Sequence, residues 1–335
     1  MKLRLNTIPL HDKITFLVCV VAVVISSTLG YYAYQRIYDL SYEKALDKLA
    51  TDTRLMSGQV SSQFTRIYDD LLIISRTPPF TGIIRSKFNS GVDPKDGSSV
   101  DVWKTRLSEI FISVMDERPY YMQMRYIGLS DNGRELVRVN RSDGELVVVE
   151  DDLLQEKIGE PYMSNISELL DDQVYFSDVT FNRENGKIDS MRLPTLRAIT
   201  PIYSGTELYG LFVININYPE FIRGLVAGFS PNHDMYLVND QSDYLKITTA
   251  GEILPFEFHE EYSQTPPPFI YSLNDGFTND YYVDNQENIA YYARIKMPGH
   301  EEMKHFGVVF QANYEDVMAN VIRVRNQAIV LSIIF

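Results

Sequence analysis

Two hydrophobic periods alternate along this chain, bounded by apolar runs. From Ile14 to Ala33, ITFLVCVVAVVISSTLGYYA runs for twenty positions without a charge, about the length a helix needs to cross a bilayer core of roughly 30 Å. Ala328 to Phe335 (AIVLSIIF) begins a second apolar run. After the first run, Leu46, Leu49, Thr53, Met56, Val60, Gln63, Ile67, Leu71 and Ile74 recur at steps of three and four. That spacing marks one face of a helix. Thr77-Pro78-Pro79 stops it, because proline cannot continue the hydrogen-bond ladder. A helix over residues 36–75 would be on the order of 60 Å long.

From Tyr120 the period shortens to two. MRYIGLS, RELVRVNR and ELVVV read as strands joined at Asp131-Asn132-Gly133 and Ser142-Asp143-Gly144. Asn-Gly and Asp-Gly supply the left-handed backbone that tight hairpins require. A polar stretch over 151–170 reads as helical. Strands resume at VYFSDVTF (174–181), TLRAITPIYS (195–204) and ELYGLFVININY (207–218), with a turn at Glu184-Asn185-Gly186. YPEFIRGLVAGF (218–229) reads as a short helix bridging to a smaller set of strands at 234–240, 243–249, 288–297 and 304–314. From Tyr314, Val317, Val321, Val324 and Ala328 return to helical spacing. The expected fold class is α+β, a long N-terminal helix with two PAS-like antiparallel-sheet domains, flanked by transmembrane helices. The expected boundaries are 1–13 for the N-terminus, 14–34 for the first crossing and 36–77 for a stalk helix. A larger membrane-distal domain follows at 78–228, a smaller proximal one at 229–316, and a helix entering a second crossing at 317–335.

Charge orients this plan. Lys2, Arg4 and Lys13 precede the apolar run with only Asp12 against them, which puts the N-terminus in the cytoplasm and the folded part outside. Arg323 and Arg325 before the second run oppose the rule weakly, and the first helix dominates. A cleaved signal peptide fits less well, since the apolar part exceeds the usual h-region and Tyr31-Tyr32-Ala33-Tyr34 stands where a small-residue cleavage site belongs. The single cysteine, Cys19, lies in the apolar run, so the exported part has no disulfide and depends on its own core. The composition permits this, with 45% hydrophobic residues, 23 Tyr and 17 Phe. A net charge of −14 argues against a nucleic-acid partner.

No G-x-S-x-G elbow, P-loop or G-x-G-x-x-G after a strand occurs. His300 and His305 are five apart, so they do not share a helix face, and no metal, cofactor or catalytic residue is expected. Arginines inside strand-like runs carry more information. Arg138 lies opposite Val137 and Val139, and Arg197 opposite Leu196 and Ala198. A guanidinium there either clamps a carboxylate or phosphate ligand or pairs with a sheet acid such as Asp178. Tyr162 and Tyr175 could add an aromatic wall and a hydroxyl, and Arg192 a contact at a pocket mouth. The candidate ligand-binding residues are therefore Arg138, Tyr162, Tyr175, Asp178, Arg192 and Arg197.

GRELVRVNR (133–141), VYFSDVTFN (174–182) and LPTLRAITPIY (193–203), on this layout, resemble the double Cache (tandem PDC) extracytoplasmic sensory domains of bacterial receptors. The resemblance covers residues 36–327. It implies ligand binding in the membrane-distal domain, parallel homodimers, and an output module such as a histidine kinase, a diguanylate cyclase or a chemoreceptor coil. The Arg-x-Trp-Tyr pattern of the amino-acid-binding subgroup is missing, and the only tryptophan, Trp103, lies in a helical stretch. The expected role is the sensor region of a receptor in the cytoplasmic membrane, binding a small molecule to which strand arginines would suit an anion. The alternatives are a tethered adaptor for a periplasmic protein and an exported, membrane-anchored enzyme.

The topology has a direct test. A periplasm-active reporter fused after Gly144 should be active, and the same reporter at the N-terminus should be silent; the reverse pattern would invert the orientation.

Overall fold

The structure, a computed structural model, describes residues 9–130, 132–165, 169–170, 172–227, 233–274, 281–284, 288–299 and 306–334. Helix α1 runs from Leu10 to Ser75, 66 residues or about 100 Å. The apolar run and the predicted stalk are therefore one rod. Its first part is long and apolar enough to cross a membrane, and none of that apolar window is buried against protein. The second part buries Leu49, Ala50, Thr53, Met56, Ser57, Val60, Phe64, Ile67, Leu71 and Ile74. This is the predicted stripe with one correction: Phe64, not Gln63, is the inward residue between Val60 and Ile67.

The chain turns at Thr77 and starts α2 (Pro78–Phe88) with proline in its first turn, where no amide donor is needed. Helix α3 (Val100–Glu117) follows, capped by the Ser99 side chain on the Val102 amide. Strands β1 (Tyr121–Gly128), β2 (Arg134–Ser142) and β3 (Glu145–Val148) come next. A roof segment then carries the short strands β4 (Tyr175–Phe176), β5 (Thr180–Phe181), β6 (Arg183–Glu184) and β7 (Lys187–Ile188). The long strands β8 (Pro194–Ser204) and β9 (Glu207–Asn217) complete a sheet of order β3-β2-β1-β9-β8-β4, with β5 also on β8. The predicted hairpins take the expected backbone: Asp143-Gly144 and Asn185-Gly186 are all at positive φ. The predicted helix over 151–170 is a correction. Among the described residues two 3-10 turns form there, Asp151–Leu153 and Pro161–Asn165, and no α-helix. Gly159 and Pro161 interrupt the stretch, and Lys157 and Glu160 turn inward while Asp151, Asp152 and Glu156 stay exposed.

Helix α4 (Tyr218–Val226) leads to the second sheet. Its strands are β10 (Asp234–Asn239), β11 (Tyr244–Ile247), β12 (Tyr281–Asp284), β13 (Asn288–Ile295) and β14 (Phe306–Asn313), with helix α5 (Pro268–Asn274) before β12. The antiparallel order is β11-β10-β14-β13-β12. Strand β12 was not anticipated. Helix α6 (Tyr314–Ile334) begins directly at the end of β14 and returns along α1, where the Tyr38 and Tyr314 hydroxyls meet and the Tyr42 and Tyr314 rings lie 6.3 Å apart. His300 and His305 lie outside the described residues.

One helix serves both sheets. Ser57 donates to the Arg294 carbonyl at 2.7 Å and Thr53 to the Tyr291 carbonyl at 3.5 Å, fixing α1 on β13 of the smaller sheet. Farther along, the Phe64 ring meets Phe176 of the larger sheet at 5.2 Å, Phe221 of α4 at 5.6 Å and Phe306 of the smaller sheet at 5.9 Å. Phe64→Ala should therefore cost about 3–5 kcal/mol. Because this ring touches both units, chemical denaturation should show both losing stability together; loss confined to one would contradict a shared keel.

Candidate functional site

The larger sheet has two buried faces of different character. Toward α1, α2 and α3 it is aromatic, with Phe80, Phe111, Tyr126 and Phe212 packed together. The other face is roofed by the segment between β3 and β8. Residues paired across antiparallel strands share a face, and the register sets two rows there. One row reads Arg138, Arg125, Val213, Ile199, and the next Asn140, Gln123, Asn215, Arg197. Toward one end the roof is apolar, with Tyr162, Leu169 and Tyr175 over Ile127, Ile199, Leu211 and Val213. Toward the other it is charged.

Arg125, Glu135, Arg138, Lys157 and Arg197 are all buried on this face or in its roof. Glu135 stands 3.4 Å from Arg125 and 3.5 Å from Arg138, and its second oxygen accepts from the Gln155 amide at 3.0 Å. Glu184, delivered by the β6–β7 hairpin, pairs with Arg138 at 2.7 Å and accepts from Gln123 and Gln155. Burial by itself would raise the Glu184 carboxyl, but Arg138 and these hydrogen bonds outweigh it and hold the group at about 2. Lys157 donates to Gln155 at 2.7 Å, and burial brings its ammonium down to about 8. Asn215 bridges Gln123 at 3.0 Å and Asn182 at 3.2 Å.

Arg197 is placed differently. Its guanidinium donates to the Thr180 hydroxyl at 2.8 Å and the Phe181 carbonyl at 3.3 Å, both on β5, and lies 5.5 Å from the Tyr162 ring centre. Among the described residues no carboxylate comes within ion-pair distance of it. Burial, reinforced by Arg125 and Arg183, brings its pKa down to about 10. Beside it lies a cavity of about 60 Å³ lined by Tyr162, Tyr175, Ser177, Asp178, Thr180 and Arg197, with Glu160, Pro161 and Arg183. Among the described residues the Tyr162 hydroxyl, buried there, has no hydrogen-bond partner.

Four of the six candidate residues, Tyr162, Tyr175, Asp178 and Arg197, thus surround one cavity. Arg138 does not join them: it borders a separate cleft with Asn140, Gln155 and Asn185. The alternative of pairing with a sheet acid holds for Arg138, through acids other than Asp178. Arg138 pairs with Glu135 and Glu184, and Arg197 bonds neutral acceptors. Arg192 lies between the two sheets, 4.3 Å over the Phe181 ring and 3.0 Å from Glu261. It borders a cleft of about 700 Å³ shared with Asp243, Phe258 and His259 of the smaller unit. Arg125 went unnoticed although it obeys the same rule, an arginine inside a strand run. Glu135 and Glu184 flank turn sequences, and no sequence signal tied them to these arginines.

Residues 98–308 match the family described as the sensor domain of bacterial histidine kinases. The chain belongs to that family. The family is sensory, not catalytic. No curated protein matches the chain. Among solved structures it is similar to the extracellular domain of vpHK1S-Z8, provisionally assigned as a histidine kinase, at 18% identity and TM-score 0.57, covering 84% of this chain and 95% of that one. A sensory box/GGDEF family domain from Vibrio parahaemolyticus matches at 17% identity and TM-score 0.59, covering 81% and 98%. The ligand-binding domain of the Campylobacter jejuni chemoreceptor Tlp3, in complex with L-norvaline, matches at 12% identity and TM-score 0.52, covering 83% and 94%. At these identities the likeness establishes the fold, that of double Cache sensory domains.

The ion pairs give Arg138 of this sensor domain a measurable structural weight. Arg138→Ala strands two carboxylates, and stability at neutral pH should fall by about 3–5 kcal/mol. Glu184 titrates below its unfolded value, so its contribution is present above roughly pH 4.5 and lost as pH falls toward 2. The difference between wild type and Arg138→Ala, followed by urea denaturation, should shrink over that window; a pH-independent difference would remove Glu184 from the account.

Proposed function

We propose that this chain is the sensory part of a receptor in the bacterial cytoplasmic membrane, with the two sheets on the outer side and α1 and α6 leading to the bilayer. A small molecule binds in the larger unit at the cavity beside Arg197. The single observation that carries this reading is a buried guanidinium with only neutral partners, beside a cavity with an unpartnered tyrosine hydroxyl. A purely structural arginine on this face would resemble Arg138, which is matched by acids. The homodimer draws on Ile37, Leu55 and Ile73, exposed apolar side chains recurring every eighteen residues, five full turns, along α1.

The signal leaves through β5. Arg197 holds Thr180 and Phe181, and Phe181 packs on Phe258 of the smaller unit at 4.5 Å while Arg192 reaches Glu261. A ligand that draws on Arg197 changes the strand that touches the second unit, whose last strand runs directly into α6. The ligand shifts the receptor only through different affinities for its two packings. The output module is a histidine kinase or a diguanylate cyclase.

The test joins residues 1–335 to a cytoplasmic histidine kinase module in vesicles and measures autophosphorylation. A library of small organic acids should contain a compound that changes the rate, and Arg197→Met should abolish that response. Glu261→Gln, which opens the contact between the units, should shift the basal rate. A tethered adaptor would show no small-molecule response at all, and an exported enzyme would consume a compound instead of sensing it.

A further inference from the structure

The cavity beside Arg197 restricts what it can accept, and this inference rests on the binding site proposed above. The charges around it do not balance locally. Glu135 is shared by Arg125 and Arg138, Glu184 holds Arg138, and Glu160 stands 3.9 Å from Lys157 and 3.4 Å from Arg183. Arg197, 3% exposed, enters none of these pairs, and among the described residues it has only a hydroxyl, a carbonyl and an aromatic ring as partners. Tyr162, 5% exposed, presents a hydroxyl without a partner to the same space. A buried cation matched by no carboxylate among the described residues, beside a buried hydroxyl without an acceptor, points to a missing anion.

We infer that the cavity takes a small monocarboxylate, of formate to propionate size, seated on the Arg197 guanidinium and the Tyr162 hydroxyl. The arginine fork matches the two oxygens of a carboxylate. About 60 Å³ holds a few waters or one small anion, and leaves no room for the side chain of a branched amino acid. A doubly charged anion such as phosphate costs more to bury beside this one guanidinium than a singly charged carboxylate. The carboxylate also takes over donors now given to Thr180 and Phe181, which links occupancy to the strand that touches the smaller unit.

The experiment uses the detergent-solubilised 335-residue chain and follows melting temperature and binding heat with formate, acetate, propionate, glycine, L-isoleucine and phosphate. Acetate or propionate should stabilise the wild type, while phosphate and isoleucine should not. Tyr162→Phe should weaken acid binding about tenfold or more, the effect of losing a hydrogen bond to a charged group. The same variant should melt no lower than wild type without ligand, because the hydroxyl has no partner to lose. It keeps the test decisive even where Arg197→Met folds poorly. Tighter binding of glycine or isoleucine, lost in Tyr162→Phe, would overturn the ligand class and leave the site standing. Acid binding that ignores both Tyr162→Phe and Arg197→Met, or no stabilisation by any probe, would overturn the inference; a response of the kinase fusion to some other acid would still uphold the sensory reading.

Discussion

Neither sheet can close its core without α1. A sheet with an apolar face must cover it with another layer, and among the described residues the α-helices that follow β10 are the short α5 and α6, which runs back along α1. The smaller unit borrows the middle of α1, where Leu49, Thr53, Met56 and Ser57 are inward, and the larger unit uses the continuation from Phe64 to Ile74. The helix therefore cannot move relative to one sheet without disturbing its seat on the other. Hydroxyl pins reinforce the seat: Ser57 and Thr53 bond carbonyls of β13, and the Tyr68 hydroxyl donates to the Asp172 carbonyl at 3.0 Å. The same rod carries the apolar window at its start, so the geometry of both cores is referred to that window.

The opposite face of the larger sheet follows another rule. Burying several cations under a roof is costly unless each finds an acid and further hydrogen bonds. The roof exists in the form it does because it supplies them. Its Gln155 contacts both Glu135 and Glu184, and its hairpin brings Glu184 over Arg138. This arrangement fixes the roof without a regular helix, since the backbone must bend to aim polar side chains inward. It also explains why the one arginine outside the network stands out: its surroundings differ from those of its neighbours in kind.

The regular elements were legible because they follow backbone periodicity. The α1 stripe, the hairpins at Asp143-Gly144 and Asn185-Gly186, and strands β8 and β9 follow from spacing and turn chemistry alone. The errors share a cause, which is that tertiary contact decided them. Gln63 and Phe64 are neighbours on the wheel, and only the aromatic junction with Phe176, Phe221 and Phe306 selects Phe64. The roof at 151–170 looks helical by composition, but Gln155, Lys157 and Glu160 are needed on the sheet face. At the site, Arg197, Tyr162, Tyr175 and Asp178 could be proposed from residue type in a strand setting. Their shared cavity could not, because β4, β5 and the turn at Pro161–Asn165 are too short to leave a periodic signal. Glu184 stayed hidden for a related reason, since its partner Arg138 lies 46 residues away, and Glu135 because strand alternation alone does not tell which neighbouring arginines it meets.

Strand β5 is where these constraints meet. It is only Thr180 and Phe181, paired with Thr195 and Pro194 of β8, so ladder hydrogen bonds hold it weakly compared with β8 and β9. Much of its position therefore depends on side-chain contacts: Arg197 on one side, and Phe258 with the Arg192–Glu261 pair on the other. A long strand would average such forces over many ladder bonds. A two-residue strand cannot, and it follows whichever partner binds it more strongly. Cavity and inter-sheet cleft share Pro161, Thr180 and Arg183 in their walls, so a change on one side of this thin partition is a change on the other. No loop separates the smaller sheet from α6, since β14 ends at Asn313 and α6 starts at Tyr314. The weakest-held strand of the larger sheet thus lies between its least-matched charge and the unit that leads into α6.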